Sequence, residues 1–267
     1  MEMCGATALT WSHTICPSLH LPRSVSGNKM IISVTGATGF IGRRLVQRLH
    51  AAKDFPGIKI AEEPEWKDSV QGSTGVVNLA GLPISTRWSP EIKKEIKQSR
   101  IRVTSKVAEL INSAPDDIRP KVFVSATAVG YYGTSETQVF DEQSPSGKDY
   151  LAEVCREWES TALKVNGDVR VALIRIGVVL GKDGGALGVI NGTAPNPVRL
   201  AELCDQLGNV LGRPSWLPVP DFALKAVLGE GATVVLEGQR VLPIQAKKLG
   251  FPFKYPYVKD ALQAILS

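Results

Sequence analysis

The apolar, β-branched run Met30–Val34 ends at Thr35-Gly36-Ala37-Thr38-Gly39-Phe40-Ile41-Gly42. Arg43–His50 follows, placing Ile41, Leu45 and Leu49 on one helical face. Strand, glycine turn, helix is a demanding pattern. Gly36 lets the chain turn tightly off the strand. Gly39 has no side chain, so a pyrophosphate can approach the backbone. Gly42 lets the helix pack closely against the sheet. The first helical N–H groups and the positive end of the helix dipole then face the phosphates. Gly36, Gly39 and Gly42 are the predicted pyrophosphate site, with Thr38, Phe40 and Ile41 as further cofactor-binding residues of the same turn. A glycine turn that serves topology alone is the alternative reading.

The other bounds are consistent with a globular nucleotide-binding chain. With 267 residues, 43% hydrophobic, the chain has room for a sizeable core, in one large domain or one domain with an appendage. That excludes a wholly disordered chain, collagen and a short disulfide scaffold. The net charge of +5 arises from 31 basic and 26 acidic residues mixed along the sequence. It permits an acidic ligand and gives no argument for nucleic acid. No transmembrane segment is expected. Cys4, Cys16, Cys155 and Cys204 lack CxxC spacing, so no cysteine metal site or thioredoxin-like motif is expected. His13, His20 and His50 are the three histidines. A Ser-His-Asp hydrolase, a Cys-His protease or a histidine metal site would need one deeper in the fold.

Residues 1–29 differ from the rest. They are rich in Ser and Thr and hold Glu2 as their one acid. They lack the apolar centre of a secretory signal. That is the composition of an organelle transit peptide, with a disordered tail as the alternative.

Further strands follow. Val76–Ala80 and Gly81 read as a buried strand ending in small residues, which puts Asn78, Ala80 and Gly81 where a cofactor ribose could contact backbone. Ser89-Pro90-Glu91 starts a helix with an N-cap, a proline and an acid. Ile92, Ile96, Val103, Val107 and Leu110 form its buried face, and its many Lys and Arg read as a solvated face. Val122–Val124 leads into Ser125, Thr127 and a Tyr-Gly turn at the active edge of the sheet. Asp149 opens a helix at Tyr150. Val169–Leu180 is a long strand holding Arg175. Asn196-Pro197 is expected to cap a helix carrying Leu200, Leu203, Leu207 and Leu211. Pro214 to Ser267 is less regular, and a region of that size should pack onto the nucleotide domain.

TGATGFIG at 35–42, VVNLAG at 76–81, SATAVGYYG at 125–133 and RIGVVLGKDGGAL at 175–187 together resemble the extended short-chain dehydrogenase/reductase superfamily. More closely, the chain is similar to its NAD-dependent epimerase/dehydratase-like, cell-division-inhibitor-like subfamily, and most of all to plastid members. The stretch from Arg213 resembles that subfamily's small C-terminal domain. The resemblance implies an α/β fold: a Rossmann-type doubly wound parallel sheet over residues 30–212 and a small, mainly helical region over 213–267. It also implies an NADP or NAD cofactor, a small-molecule substrate of undefined identity, an oxidoreductase or epimerase activity and a chloroplast location.

The departures from that pattern are specific. The superfamily's acid/base is a Tyr-x-x-x-Lys pair one helical turn apart, in which the ammonium lowers the tyrosine pKa. Tyr150 sits where the tyrosine belongs, with Ser125 and Thr127 as the hydroxyls on the preceding strand. Residue 154, however, is Val. Tyr150 therefore stands between acid/base and packing aromatic. Tyr255 and Lys259 have the spacing, but Pro256 lies between them. Ile58–Ala61 reads as the second strand, and Glu62 and Glu63 after it would suit a ribose 2′-hydroxyl and NAD. The resemblance instead implies a basic residue for a 2′-phosphate, in a piece this chain lacks. GGALG at 184–188 likewise runs almost directly into VINGTAPNPV at 189–198, where relatives hold more chain. The whole reads as a shortened product missing two pieces. Two further readings stay open: a non-catalytic nucleotide-binding factor acting through plastid partners, as in plastid division, and an inactive truncated isoform.

Overall fold

In a computed structural model, residues 30–51, 57–61, 66–177, 193–213, 215 and 219–266 are described. The leader, Glu62, Glu63 and the junction at 184–192 lie outside the described residues. In chain order the elements are β1 (Ile31–Thr35), α1 (Phe40–Ala51), β2 (Gly57–Ala61), α2 (Trp66–Val70), β3 (Gly75–Asn78), α3 (Pro90–Asn112) and β4 (Val122–Ala128). Then come β5 (Val139–Phe140), α4 (Tyr150–Ala162), β6 (Arg170–Ile176) and α5 (Leu200–Leu211). The C-terminal region adds α6 (Asp221–Leu228), α7 (Thr233–Leu236), β7 (Arg240–Val241), α8 (Ile244–Lys248) and α9 (Val258–Leu266).

The main sheet has the order β2-β1-β3-β4-β6, and every pairing is parallel. From β1 the chain moves outward to β2, then crosses back to β3 on the other side. The carboxyl ends of β1 and β3 therefore flank the point where strand order reverses, the place where open α/β sheets bind ligands. The glycine turn follows β1 there. This is the Rossmann-like α/β architecture implied by the sequence.

The core follows from apolar runs facing one another. Val76 and Phe123 of the strands meet Val107, Ala108, Leu110 and Ile111 of α3 and Ala162 at the end of α4. Phe123, Val107 and Ile111 are fully buried. Burying each such side chain stabilises the fold by about 1.5–3 kcal/mol. Helix α3 starts where its signals place it: Ser89 is the N-cap, its hydroxyl accepts the Ile92 N–H, and Pro90 opens the first turn.

The start of α5 corrects a sequence expectation. The helix begins at Leu200 with Arg199 as its N-cap, not at Asn196-Pro197. The Asn196 amide donates instead to the Pro256 carbonyl at 3.2 Å, so it ties the chain to the approach to α9. The C-terminal region is stitched to the sheet domain at two places that sequence periodicity does not reveal. Strands β5 and β7 pair Val139 with Arg240 and Phe140 with Val241. Trp88 bridges to Gly229, and Lys93 forms an ion pair with Glu230 at 2.7 Å. No described helix is long and apolar enough to cross a membrane.

Candidate dinucleotide site and the neighbouring sheet edge

The glycine turn is tight in the sense its sequence demands. Gly36 adopts φ +67, and a Cβ there would meet the Leu79 carbonyl carbon at 2.8 Å and the Ala80 nitrogen at 2.9 Å. The turn after β1 thus lies directly on the backbone leaving β3. A Cβ on Gly42 would overlap the Gly36 carbonyl oxygen and stand 2.7 Å from Ala37 Cα. Gly42 therefore lets the helix pack on its own turn, where the sequence suggested packing on the sheet. Thr38 and Gly39 are exposed, and Phe40 and Ile41 are half-buried at the opening of α1. Gly39 N–H bonds the Gly36 carbonyl at 3.0 Å, which shapes the turn. The first turn of α1 holds no acid to compete with an anion.

Asn78 and Ser125 are placed differently from Thr38 and Gly39. Both are fully buried. Thr35 donates its hydroxyl to Asn78 Oδ1 at 2.6 Å, and the Asn78 amide donates to Thr104 at 2.9 Å and Ser125 at 3.3 Å. Trp158 Nε1 donates to the same Thr104 oxygen at 2.8 Å. This network joins β1, β3, β4, α3 and α4, and it holds the Asn78 and Ser125 side chains inside. Thr127 is buried as well and donates to Glu159 Oε1 at 3.1 Å. Of the small residues after β3, Ala80 is half-buried and Gly81 is exposed.

Tyr150 sits at the joint of three elements. Its phenol donates to the Lys93 carbonyl, its ring meets Trp88 edge-on at 5.6 Å, and the Lys93 ammonium lies 4.8 Å from its ring centroid. Burial raises its pKa above the ordinary value, against smaller opposing effects of Arg100 and Lys97. A phenol that donates to a backbone carbonyl and is harder to ionise is a poor base. Tyr255 stands in the C-terminal region with Lys254 near its ring, apart from this edge.

Two cations stand at this edge: Arg100, which the sequence does not set apart, and Arg175, which the sequence offered as a possible cation for Tyr150 and which pairs elsewhere. Arg100 is a buried cation whose guanidinium donates to the Ile96 carbonyl at 2.8 Å and the Leu82 carbonyl at 2.9 Å. It lies against Gly81, where a Cβ would stand 3.3 Å from its Cζ, and over the Trp158 ring at 5.3 Å. Burial lowers its pKa, yet an arginine still stays charged at neutral pH. In sequence it was one of many cations on a helix; only its inward placement distinguishes it. Arg175, at the end of β6, makes a bidentate pair with Glu159 at 2.8 and 2.9 Å and donates to the Tyr132 phenol at 3.0 Å. Its guanidinium carbon stands 3.5 Å from the Tyr131 ring centroid. Burial pulls the Arg175 pKa down, but the hydrogen bonds it donates to Glu159 and Tyr132 outweigh it and hold the pKa above its ordinary range. Cys155, beneath this edge, is pushed up to about 12, chiefly by burial, so it is an inert thiol. No cluster of potential metal ligands occurs among the described residues.

A parallel sheet of this order, with a glycine turn at its switch point, defines a nucleotide-binding α/β protein. The chain belongs to the NAD-dependent epimerase/dehydratase family, whose model matches residues 32–196. Residues 219–265 match a domain of unknown function, DUF1731. The chain is 61% identical to the chloroplastic epimerase family protein SDR39U1 homolog of Arabidopsis thaliana, over 99% of each chain. That alignment runs over 343 positions against 267 residues here, so the relative holds stretches this chain lacks. A crystal structure of human epimerase family protein SDR39U1 (isoform 2) with NADPH is 30% identical, with a TM-score of 0.78 over 88% of this chain and 99% of that one. A nucleoside-diphosphate sugar epimerase from Corynebacterium glutamicum is 25% identical, with a TM-score of 0.64 over 90% of this chain and 58% of that one.

Proposed function

We propose that the chain binds NADPH across the carboxyl ends of β1 and β3 and acts as an oxidoreductase or epimerase-like protein on a small molecule. The observation that carries the reading is the Gly36 turn seated on Leu79 and Ala80, with Gly39 and the start of α1 open beside it. A side chain at position 36 or 42 would collide with backbone, so the turn keeps its shape only with glycine there. Gly36, Thr38, Gly39, Phe40, Ile41 and Gly42 would hold the pyrophosphate. Ala80 and Gly81 would meet a ribose, and Asn78 would act through the strand end it fixes. Arg100 places a positive charge beneath that loop, which favours an anionic ligand. The bound nicotinamide would supply hydride transfer. NADPH is preferred over NADH because the human relative was solved with NADPH. The relative from Arabidopsis is named chloroplastic, and together with the leader composition this supports a plastid location.

Calorimetric titration with NADPH and NADH tests the reading. Gly39→Val should abolish NADPH binding in a folded chain, and unchanged affinity would remove the assignment. A fluorescent fusion to residues 1–29 should enter plastids if the leader is a transit peptide. The reading as a non-catalytic nucleotide-binding factor is favoured by one observation: Tyr150 is tied to the Lys93 carbonyl and has Val154 one turn on. NADPH binding without turnover on any carbonyl or sugar-nucleotide substrate would support it.

A further inference from the structure

We propose that Tyr131, not Tyr150, is the phenol that meets the substrate, and that it does so as a pair with Arg175. The inference rests on the NADPH-binding reading above.

Position comes first. Tyr131 lies in the short 3-10 turn Val129–Tyr132 that follows directly on the carboxyl end of β4. That is the edge on which ligands of open parallel sheets rest. The ring is anchored by an aromatic cluster and by a cation. It is half-buried against the cluster of Tyr132, Phe140 and Val241, meets the Tyr132 ring edge-on at 5.4 Å, and carries the Arg175 guanidinium on its face. Its carbonyl accepts the Gly147 N–H at 2.8 Å, which fixes the backbone. Its phenol oxygen, by contrast, has no hydrogen-bond partner among the described residues. The three phenols of this edge thus differ in availability: Tyr150 donates to Lys93, Tyr132 receives Arg175, and Tyr131 is open.

The chemistry follows from the stack. When a carbonyl compound accepts hydride at carbon, negative charge develops on its oxygen. A positioned phenol can donate its proton to that oxygen as the C=O π bond breaks and the new O–H bond forms. The reductant is a reduced nicotinamide, which loses the hydride; water returns the proton to the phenol afterwards. A phenolate spreads its charge into the ring, and the ring here faces a guanidinium, a favourable cation–π geometry. In the usual superfamily arrangement a lysine one helical turn on supplies the cation, and this chain has Val154 there. Arg175 provides a cation from a neighbouring strand. Glu159 holds that cation in plane through two hydrogen bonds, so Arg175 and Glu159 are positioning residues and Tyr131 is the catalytic one. The implied substrate class is a small carbonyl or secondary hydroxyl compound.

The test uses the full chain, with isatin as the carbonyl probe. NADPH affinity is read by fluorescence, isatin affinity by calorimetry on the NADP-loaded chain, and turnover at 340 nm. The wild type should bind and reduce isatin. Tyr131→Phe should keep NADPH affinity within about twofold, weaken isatin binding, and lower turnover by about 100-fold or more. Tyr131→Phe with unchanged isatin binding and turnover would overturn the proposal. So would a loss on Tyr150→Phe that Tyr131→Phe does not share, or a wild type that binds NADPH but neither binds nor reduces isatin. A wild type that fails to bind NADPH refutes the underlying reading instead, and the fluorescence titration separates that case.

Discussion

Thr35 donates its hydroxyl to Asn78 Oδ1 at 2.6 Å, across the neighbouring strands β1 and β3, directly before the residues that form the candidate site. The same Asn78 amide donates to Thr104 and Ser125. One fully buried side chain therefore sets the spacing of three strands' ends and a helix. Asn78→Ala should lower stability by about 2–3 kcal/mol, because buried hydroxyls lose partners that water cannot replace. Urea unfolding checks this, and a change under 0.5 kcal/mol would show that the network relaxes at no cost.

Gly42 and Gly36 set a second, independent constraint. Alanine is the better helix former by about 1 kcal/mol. On propensity alone Gly42→Ala would stabilise α1. The added methyl, however, overlaps the Gly36 carbonyl and presses on Ala37. Such an overlap is with backbone, which cannot rotate away as a side chain can, and overpacking typically costs about 1–3 kcal/mol. The expected net result is a lower melting temperature and at least tenfold weaker NADPH binding. A stabilised variant with unchanged NADPH affinity would mean that the turn shifts freely.

The parts of the molecule that could be read in the sequence are those whose causes are local. The β1–turn–α1 unit, the Ser89-Pro90 cap and the Asp149 cap each depend on residues within a few positions, and the structure has them. Ile58–Ala61 lies within β2, beside β1. The roles of side chains at the sheet edge depended on distant partners. Ser125 looked available because hydroxyls end a strand there; nothing local shows that Asn78 and Ala126 occupy it. Arg100 was one cation among several on α3, and only packing under Leu82 sets it apart. The pairing of β5 with β7 joins two-residue strands, too short for any periodic signal. Asn196 looked like a cap because Asn-Pro is a good helix opening; the carbonyl of Pro256 competes for its amide.

Lys97 gives a pH-dependent prediction. It bonds Glu153 at 2.8 Å and Glu157 at 2.6 Å and so joins α3 to α4. The hydrogen bonds it donates to both carboxylates raise its pKa to about 12, and the same bond lowers that of Glu153. A raised lysine pKa adds stability that is complete below the unfolded value of about 10.4 and lost as pH rises through about 12. A depressed carboxylate adds stability present above about 4.3 and lost as pH falls through its lower folded value. Lys97→Met should therefore destabilise the chain modestly at pH 7, and the difference from wild type should shrink both below about pH 4 and towards pH 12. Glu153 and Glu157 are exposed and Lys97 is half-buried, so the effect at pH 7 should be small and fall with added salt. Melting temperatures across pH would check it; a gap of constant size at all pH values would assign the loss to packing.

Phe140 is where the C-terminal region meets the candidate site's edge. Its ring stacks on Tyr132 at 5.4 Å with a 17° interplanar angle, and Val241 from β7 completes the cluster. The Phe140 carbonyl accepts the Leu242 N–H at 2.9 Å. Tyr132 in turn takes a hydrogen bond from Arg175, so the cluster lies one contact from the guanidinium that covers Tyr131. Phe140 and Val241 are both buried. Phe140→Ala should lower stability by about 3–5 kcal/mol, the usual result of emptying a phenylalanine site in a core. Its second effect is directional. Without the ring, β5 and β7 keep their backbone pairing but lose the wedge that presses β7 onto the tyrosines. Limited proteolysis should then cut first within 219–266 while the sheet domain stays protected. If the variant instead loses protection everywhere at once, the C-terminal region and the sheet domain form one cooperative unit, and the cluster supports the whole chain.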